Sequence, residues 1–237
     1  MIQELKQFII NPYSITFGLA NDEYYSKART LLKLYGLCMI LLLLSAFPIG
    51  IVELILRKSM NFSIFNNLKT NKSSLEQYWS EGVWVITAFV GPVTEEIVFR
   101  LPLSKNFLLF SIAIGFAVFY FTGDIINYSP FPFERAGISI LLATFIYFLF
   151  TQNLFEKYRE RWFNIFCWIS IITFSWIHIN NFSPINWSII FVYPIYVLPQ
   201  LFYGISLSYL MVKYNRLVWP ILLHILINGV PAIIRAV

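Results

Sequence analysis

The chain has 237 residues, of which 58% are hydrophobic, 19% aromatic and only 12% charged, about half the charged fraction of an ordinary water-soluble domain. That balance argues against a soluble enzyme and describes a polytopic membrane protein, with 24 Phe and 7 Trp suited to lipid-facing surfaces and interfacial anchoring. The formal net charge of +5 comes from 17 Lys and Arg scattered through the polar connections, so it reports membrane topology and contact with anionic lipid rather than a nucleic-acid surface.

Residues 1–33 read as a polar, partly amphipathic arm lying on the membrane surface, with Phe8, Ile9, Ile10 and Phe17 as its apolar contacts. Charges from Glu4 to Lys33 interrupt any signal-peptide core, so Leu34–Leu56 is expected to be a retained first span closed by Arg57 and Lys58. A long polar connection follows to Ser80, containing Asn66, Asn67 and Lys69–Ser74, and reads as a lid or a disordered loop. Residues 34–81 thus form one unit ahead of a membrane core over 82–237.

In that core a second span covers about Gly82–Leu103 and a short third one Phe107–Thr122. After a Pro-rich connection at 127–135 a fourth span is expected at Gly137–Thr151. A mixed-charge loop at Glu156–Arg161 precedes a fifth at Trp162–Ile179. The stretch Trp187–Val212 rises about 39 Å over its roughly 26 residues, too long for one upright span. Pro194 and Pro199 break it into two helical pieces. Leu217–Ile234 is the last span. The expected fold is therefore an all-α bundle of seven or eight transmembrane helices. Lys and Arg counts mildly favour a cytoplasmic N-terminus. Cys38 and Cys167 both lie in apolar runs, as small buried hydrophobes do.

Polar residues inside these spans are few. Gly91-Pro92-Val93-Thr94-Glu95-Glu96-Ile97-Val98-Phe99-Arg100 places three ionisable groups within six residues of an apolar segment, at about 2.5–3.5 kcal/mol each near a bilayer centre. Glu96 and Arg100, four apart, share a helix face and can pair, whereas Glu95 is rotated by about 100° and stays available as a base. Gly91-Pro92 marks a helix start or kink, tolerated at membrane depth where the backbone lines an enclosed cavity. The chain's two histidines, His178 and His224, both fall inside predicted spans, and Asn228 shares a face with His224.

A poorly solvated glutamate can act as general base toward water, one imidazole can share the proton, and a second imidazole with a carboxamide can stabilise an oxyanion, which together make a peptide hydrolase. Two imidazoles and a carboxylate (His178, His224 and Glu95) also suit a three-ligand zinc site with the other glutamate as base. The residues alone leave both versions open. Other intramembrane hydrolases are set aside: there is no His-Glu-x-x-His helix, no Gly-x-Ser-x-Gly elbow, and the only aspartates are Asp22 and Asp124.

The ordered set Glu95-Glu96-x-x-x-Arg100, Phe174-x-x-x-His178 and His224-x-x-x-Asn228 on three separate spans resembles the CAAX-protease and bacteriocin-processing (Abi) family of intramembrane endopeptidases over residues 80–235. The resemblance implies a helical membrane fold around a polar cavity in which Glu95 activates water with His178. His224 and Asn228 would stabilise the oxyanion, and Glu96 and Arg100 would shape and charge the site. It implies a membrane-associated protein or peptide substrate and, for members described as metalloproteases, zinc. Non-catalytic immunity proteins and scaffolds share the family, so a binding role is the alternative. The Ile-, Phe-, Asn- and Lys-rich composition looks bacterial, which argues against a prenylated substrate. The expected location is the cell membrane, crossed several times, and a small transporter is disfavoured by the lack of repeated halves.

Overall fold

The computed structural model describes residues 1–15, 24–67, 86–125, 132–150 and 152–236, and among them the secondary structure is helical throughout, with no strand. In chain order the helices are α1 (Ile2–Ile10), α2 (Tyr24–Met60), α3 (Gly91–Phe99), α4 (Phe107–Ile125), α5 (Pro132–Leu149), α6 (Gln152–Ile177), the short α7 (Tyr193–Tyr196), α8 (Leu198–Tyr214) and α9 (Val218–Ala236). Tight 3-10 turns link several of them, and a π-helical turn at Ile86–Val90 leads into α3.

Apolar side chains cover the outside as well as the inside. On α2, Leu43, Leu44, Phe47, Leu54 and Ile55 are all exposed, as are Ile140, Leu141, Phe145 and Phe148 on α5 and Ile169, Ile172 and Trp176 on α6. An aliphatic and aromatic surface this extensive is stable facing lipid and unstable facing water. Tyr24–Met60 and Gln152–Phe182 are long and apolar enough to cross a membrane. A third crossing results if Trp187–Tyr196 and Leu198–Tyr214, bent by 49°, form one broken span. That bend lies at the two expected pieces, with Pro194 and Pro199 in the first turns of α7 and α8, where a missing N–H is harmless.

Three local expectations are corrected. The first span is part of a longer helix that starts at Tyr24 and runs to Met60, ending where Asn61 takes the left-handed conformation (φ 49°). Glu156–Arg161 is no loop but the early turns of α6. The segment has no Gly or Pro and is rich in helix-forming side chains, and Gln152 donates to Glu156 at 3.1 Å across one turn. Phe8 does not lie on the membrane surface: it is fully buried, edge-on to Tyr209 with ring centroids 5.7 Å apart, while Ile10 stays exposed. Phe17 and most of the polar connection before Ser80 fall outside the described residues.

The main core joins α1, the first half of α2, α6, α8 and α9 through Phe8, Leu34, Cys38, Ile171, Phe174, Leu207, Leu210 and Leu223. A second cluster ties the end of α2 to α7 through Leu56, Ile64, Ile189, Tyr193 and Tyr196. At its edge Glu53 is buried but satisfied: Tyr196 donates to Oε2 at 2.6 Å, Ser63 donates to Oε1, and Arg57 lies 3.4 Å from Oε1. The α4–α5 pair packs closely because Gly115 has no side chain. A Cβ there would stand 2.5 Å from the Ser139 carbonyl oxygen.

Candidate active site

The π turn and α3 bring the acidic pair into the bundle. Pro92 occupies the first turn of α3, and the Thr94 hydroxyl donates to the carbonyls of Gly91 (2.8 Å) and Val90 (3.1 Å). From this anchored helix Glu95 and Glu96 diverge as the 100° step requires. Glu96 and Arg100 are both fully buried, with Arg100 Nε 3.4 Å from Glu96 Oε2.

The structure adds a contact that helical spacing could not give: His224 Nδ1 lies 2.8 Å from Glu96 Oε1. The carboxylate of Glu96 therefore bridges the guanidinium of its own helix and an imidazole of α9. A carboxylate only accepts, so Nδ1 carries the proton, and the ring's Nε2 is turned toward Glu95. Arg100 is held from the other side as well. Its Nη2 donates to the Gly204 carbonyl at 3.4 Å, and its guanidinium carbon lies 4.0 Å from the centre of the Phe174 ring.

His178 directly follows α6 and opens a tighter 3-10 turn over His178–Phe182. Its Nδ1 is 2.7 Å from the Phe174 carbonyl oxygen, again an acceptor, so Nδ1 donates and Nε2 is left as the ring's second functional atom. That Nε2 is 3.7 Å from Glu95 Oε2, and His224 Nε2 is 3.8 Å from the same oxygen. Two imidazoles from different helices thus face one carboxylate oxygen. Glu95 Oε2 has no hydrogen-bond partner among the described residues. Its 19% side-chain exposure leaves it the most accessible member of the cluster, against 16% for His178 and 3% for His224. Separations just beyond hydrogen-bond length are what one bridging water, or tightening around a substrate, would close.

Phe174 is the floor of the site. Its ring centroid stands 4.7 Å from that of His178, 5.7 Å from that of His224 and 5.5 Å from that of Phe99. Gly204 lets α8 approach it: a Cβ there would be 3.3 Å from both Phe174 Cδ1 and the Ile171 carbonyl oxygen. Sequence reasoning placed Phe174 only as a motif position and passed over Gly204, whose one signal is its place beside the small residues Ser206 and Ser208. Asn228 lies one turn beyond His224 on α9, half-buried, without a hydrogen bond to any described residue. At the neighbouring Gly229 a Cβ would stand 3.9 Å from Ala88 Cβ of the π turn, an ordinary van der Waals contact.

Among the described residues no three or more His, Cys, Asp or Glu side chains form a group that could hold a metal ion. What the arrangement can do with its own atoms is take a proton at Glu95, share it with His178, and present an imidazole braced by Glu96.

Compared with known proteins, residues 77–230 match a family model described as type II CAAX prenyl endopeptidase Rce1-like. No curated protein and no solved structure matches the chain.

Proposed function

Since the chain belongs to the type II CAAX prenyl endopeptidase Rce1-like family, we propose that it hydrolyses a peptide bond of a membrane-associated protein or peptide by water activated at Glu95. The observation that carries this is the approach of both imidazoles, at 3.7 and 3.8 Å, to one oxygen of Glu95.

In this reading Glu95 removes a proton from water poised between it and His178 Nε2, and the hydroxide attacks the scissile carbonyl carbon. His178 is held for this by the Phe174 carbonyl at Nδ1, so its Nε2 accepts and passes on the proton. Negative charge developing on the carbonyl oxygen meets Nε2–H of a doubly protonated His224, whose counter-charge is Glu96, and the carboxamide of Asn228. Collapse of the tetrahedral intermediate breaks the C–N bond as the proton moves from the Glu95–His178 pair to the leaving amine. Glu96, Arg100 and Phe174 position these groups. No step runs through a metal.

We further read residues 82–237 as the catalytic core, preceded by the arm at 1–33 and the unit at 34–81. Seven or eight crossings of the cell membrane would enclose the site in a polar cavity open to a substrate in the bilayer. Burial of Glu96, Arg100 and His224 supports that cavity, because each is affordable at depth only with partners.

The test is cleavage of a membrane-anchored reporter peptide by purified protein, with metal content measured on the same samples. Glu95→Gln and His178→Ala should abolish turnover while the proteins stay folded. Turnover surviving Glu95→Gln would sink the mechanism. Inactivity of every version, with the variants merely unstable, would point to the partner-binding alternative. Turnover that tracks bound zinc would move the base role onto a metal-bound water.

A further inference from the structure

We infer that Gln200 of α8 binds the peptide backbone of the substrate beside the scissile bond, a role that rests on the peptidase reading of Glu95 and adds to it a group that recognises substrate. Gln200 heads a stripe of α8 that continues through Gly204, Leu207 and Met211, all three buried. It is the polar member of that stripe. Gln200 itself is half-buried, but its Oε1 is fully enclosed and accepts no hydrogen bond among the described residues. An acceptor enclosed without a donor is costly in a folded chain. Beside an active site it has an explanation, because the donor arrives with the substrate.

The height of Gln200 in the bundle follows from its neighbours. Gly204, one turn further along α8, accepts from Arg100 Nη2 at 3.4 Å, and a Cβ there would stand 3.3 Å from Phe174 Cδ1. α8 runs antiparallel to α6: Gly204 lies at Ile171 and Phe174, while Tyr209 of α8 and Asn164 of α6 both reach the N-terminal arm, at Phe8 and Tyr13. Moving about 6 Å from Gly204 back to Gln200 therefore moves forward along α6, from Phe174 to the level of His178. α3 gives the same height, because it too is antiparallel to α6, with the Phe99 carbonyl accepting from Ser170 and Glu95 opposite His178. One turn back from Arg100 is Glu96, so Gln200 shares a layer with Glu95, Glu96 and His178. Residues four apart share a helix face, which puts Gln200 on the side of α8 where Gly204 meets Phe174. Glu95 and His178, at 19% and 16% side-chain exposure, are the accessible members of that layer, so a peptide that reaches them is carried past Gln200. A primary carboxamide matches a peptide group, accepting its N–H and donating to its C=O. A helical peptide spends both groups on itself, so the segment bound here is extended.

The membrane-anchored reporter peptide is prepared with each backbone N–H near the cleavage point replaced in turn by an ester oxygen, the scissile bond staying an amide. Cleavage of this series by the full-length wild type is compared with cleavage by Gln200→Met. Binding of the same peptides, carrying a fluorophore, is measured on Glu95→Gln with and without Gln200→Met. We expect one ester position to lower wild-type kcat/KM by about tenfold, mainly through KM, and the same position to have little effect in Gln200→Met. A merely structural role for Gln200 lowers cleavage of every peptide alike and leaves the ester penalty in place, which overturns the assignment. A wild type indifferent to every ester also overturns it, and decides the matter even if Gln200→Met fails to fold. Absence of cleavage, with the Gln200-dependent ester penalty kept in binding to Glu95→Gln, refutes the hydrolytic reading and upholds Gln200 as a peptide-binding residue. Cleavage without any ester penalty refutes Gln200 alone.

Discussion

Replacing Glu96 by Gln removes one charge without changing shape, at the point where two cationic or proton-bearing groups converge. The carboxylate is fully buried. It lies 3.4 Å from the equally buried Arg100 and 2.8 Å from His224 Nδ1, so Glu96→Gln strands the guanidinium in a low-dielectric core and withdraws the counter-charge of the imidazole. Breaking a buried pair from one side costs about 3–5 kcal/mol, a large share of the roughly 5–15 kcal/mol that holds a typical protein folded. For a chain of this size that is a melting temperature lower by about 6 to 20 °C. The carboxamide can still accept from Nδ1–H, so the ring should keep its place while losing the charge that supports Nε2–H. Turnover should accordingly fall more than substrate affinity. Removing the stranded charge as well, in Glu96→Gln/Arg100→Gln, should cost less than the sum of the single variants. Thermal unfolding in detergent and steady-state cleavage of the reporter read both arms. Melting unchanged from wild type, or additive losses in the double variant, would refute the bridging role of Glu96.

Three other outcomes are expected. Gly115→Ala inserts a methyl 2.5 Å from the Ser139 carbonyl oxygen and 2.9 Å from Ala143 Cβ, and should destabilise the α4–α5 pair by about 1–3 kcal/mol; an undiminished melting temperature would mean that the two helices are not so close. Tyr196→Phe deletes the 2.6 Å hydrogen bond to buried Glu53, a charged-acceptor bond worth about 1.5–3 kcal/mol, measurable by unfolding and with no expected effect on reporter cleavage per folded molecule. At Glu4, partial burial acts to raise the carboxyl, but the hydrogen bond and charge of Lys213, with a hydrogen bond from Tyr209, outweigh it and hold the group below its ordinary range. A carboxyl depressed in the folded state stabilises above its unfolded value of about 4.3 and loses that contribution as pH falls through the lower folded value. Stability of the wild type should therefore fall through that acidic window by more than that of Lys213→Met, and equal slopes would dismiss a stabilising role for the Glu4–Lys213 pair.

How far the sequence reached depended on the range of the forces involved. Hydropathy made the membrane class legible because an apolar excess this large has no stable place in water. The breaks at Pro92, Pro194 and Pro199 were legible because proline acts on its own turn. Where the reading failed, nearby residues were overruled or distant ones intervened. Charge density at 156–161 suggests a loop, although none of those residues opposes a helix, and Phe8 reads as a surface anchor because nothing in its neighbourhood announces the Tyr209 ring more than two hundred residues away.

The site divides along the same line. The Glu96–Arg100 pair and the freedom of Glu95 follow from four-residue and one-residue steps on a helix, so the sequence by itself determined them. That His178 and His224, from separate helices, turn their Nε2 atoms toward one oxygen of Glu95 was decided only by tertiary packing, as was the bridge from Glu96 to His224. Those distances depend on how α3, α6 and α9 meet around Phe174 and on the absence of a side chain at Gly204. A periodicity fixes directions within one helix and carries no information about the angle at which another helix crosses it.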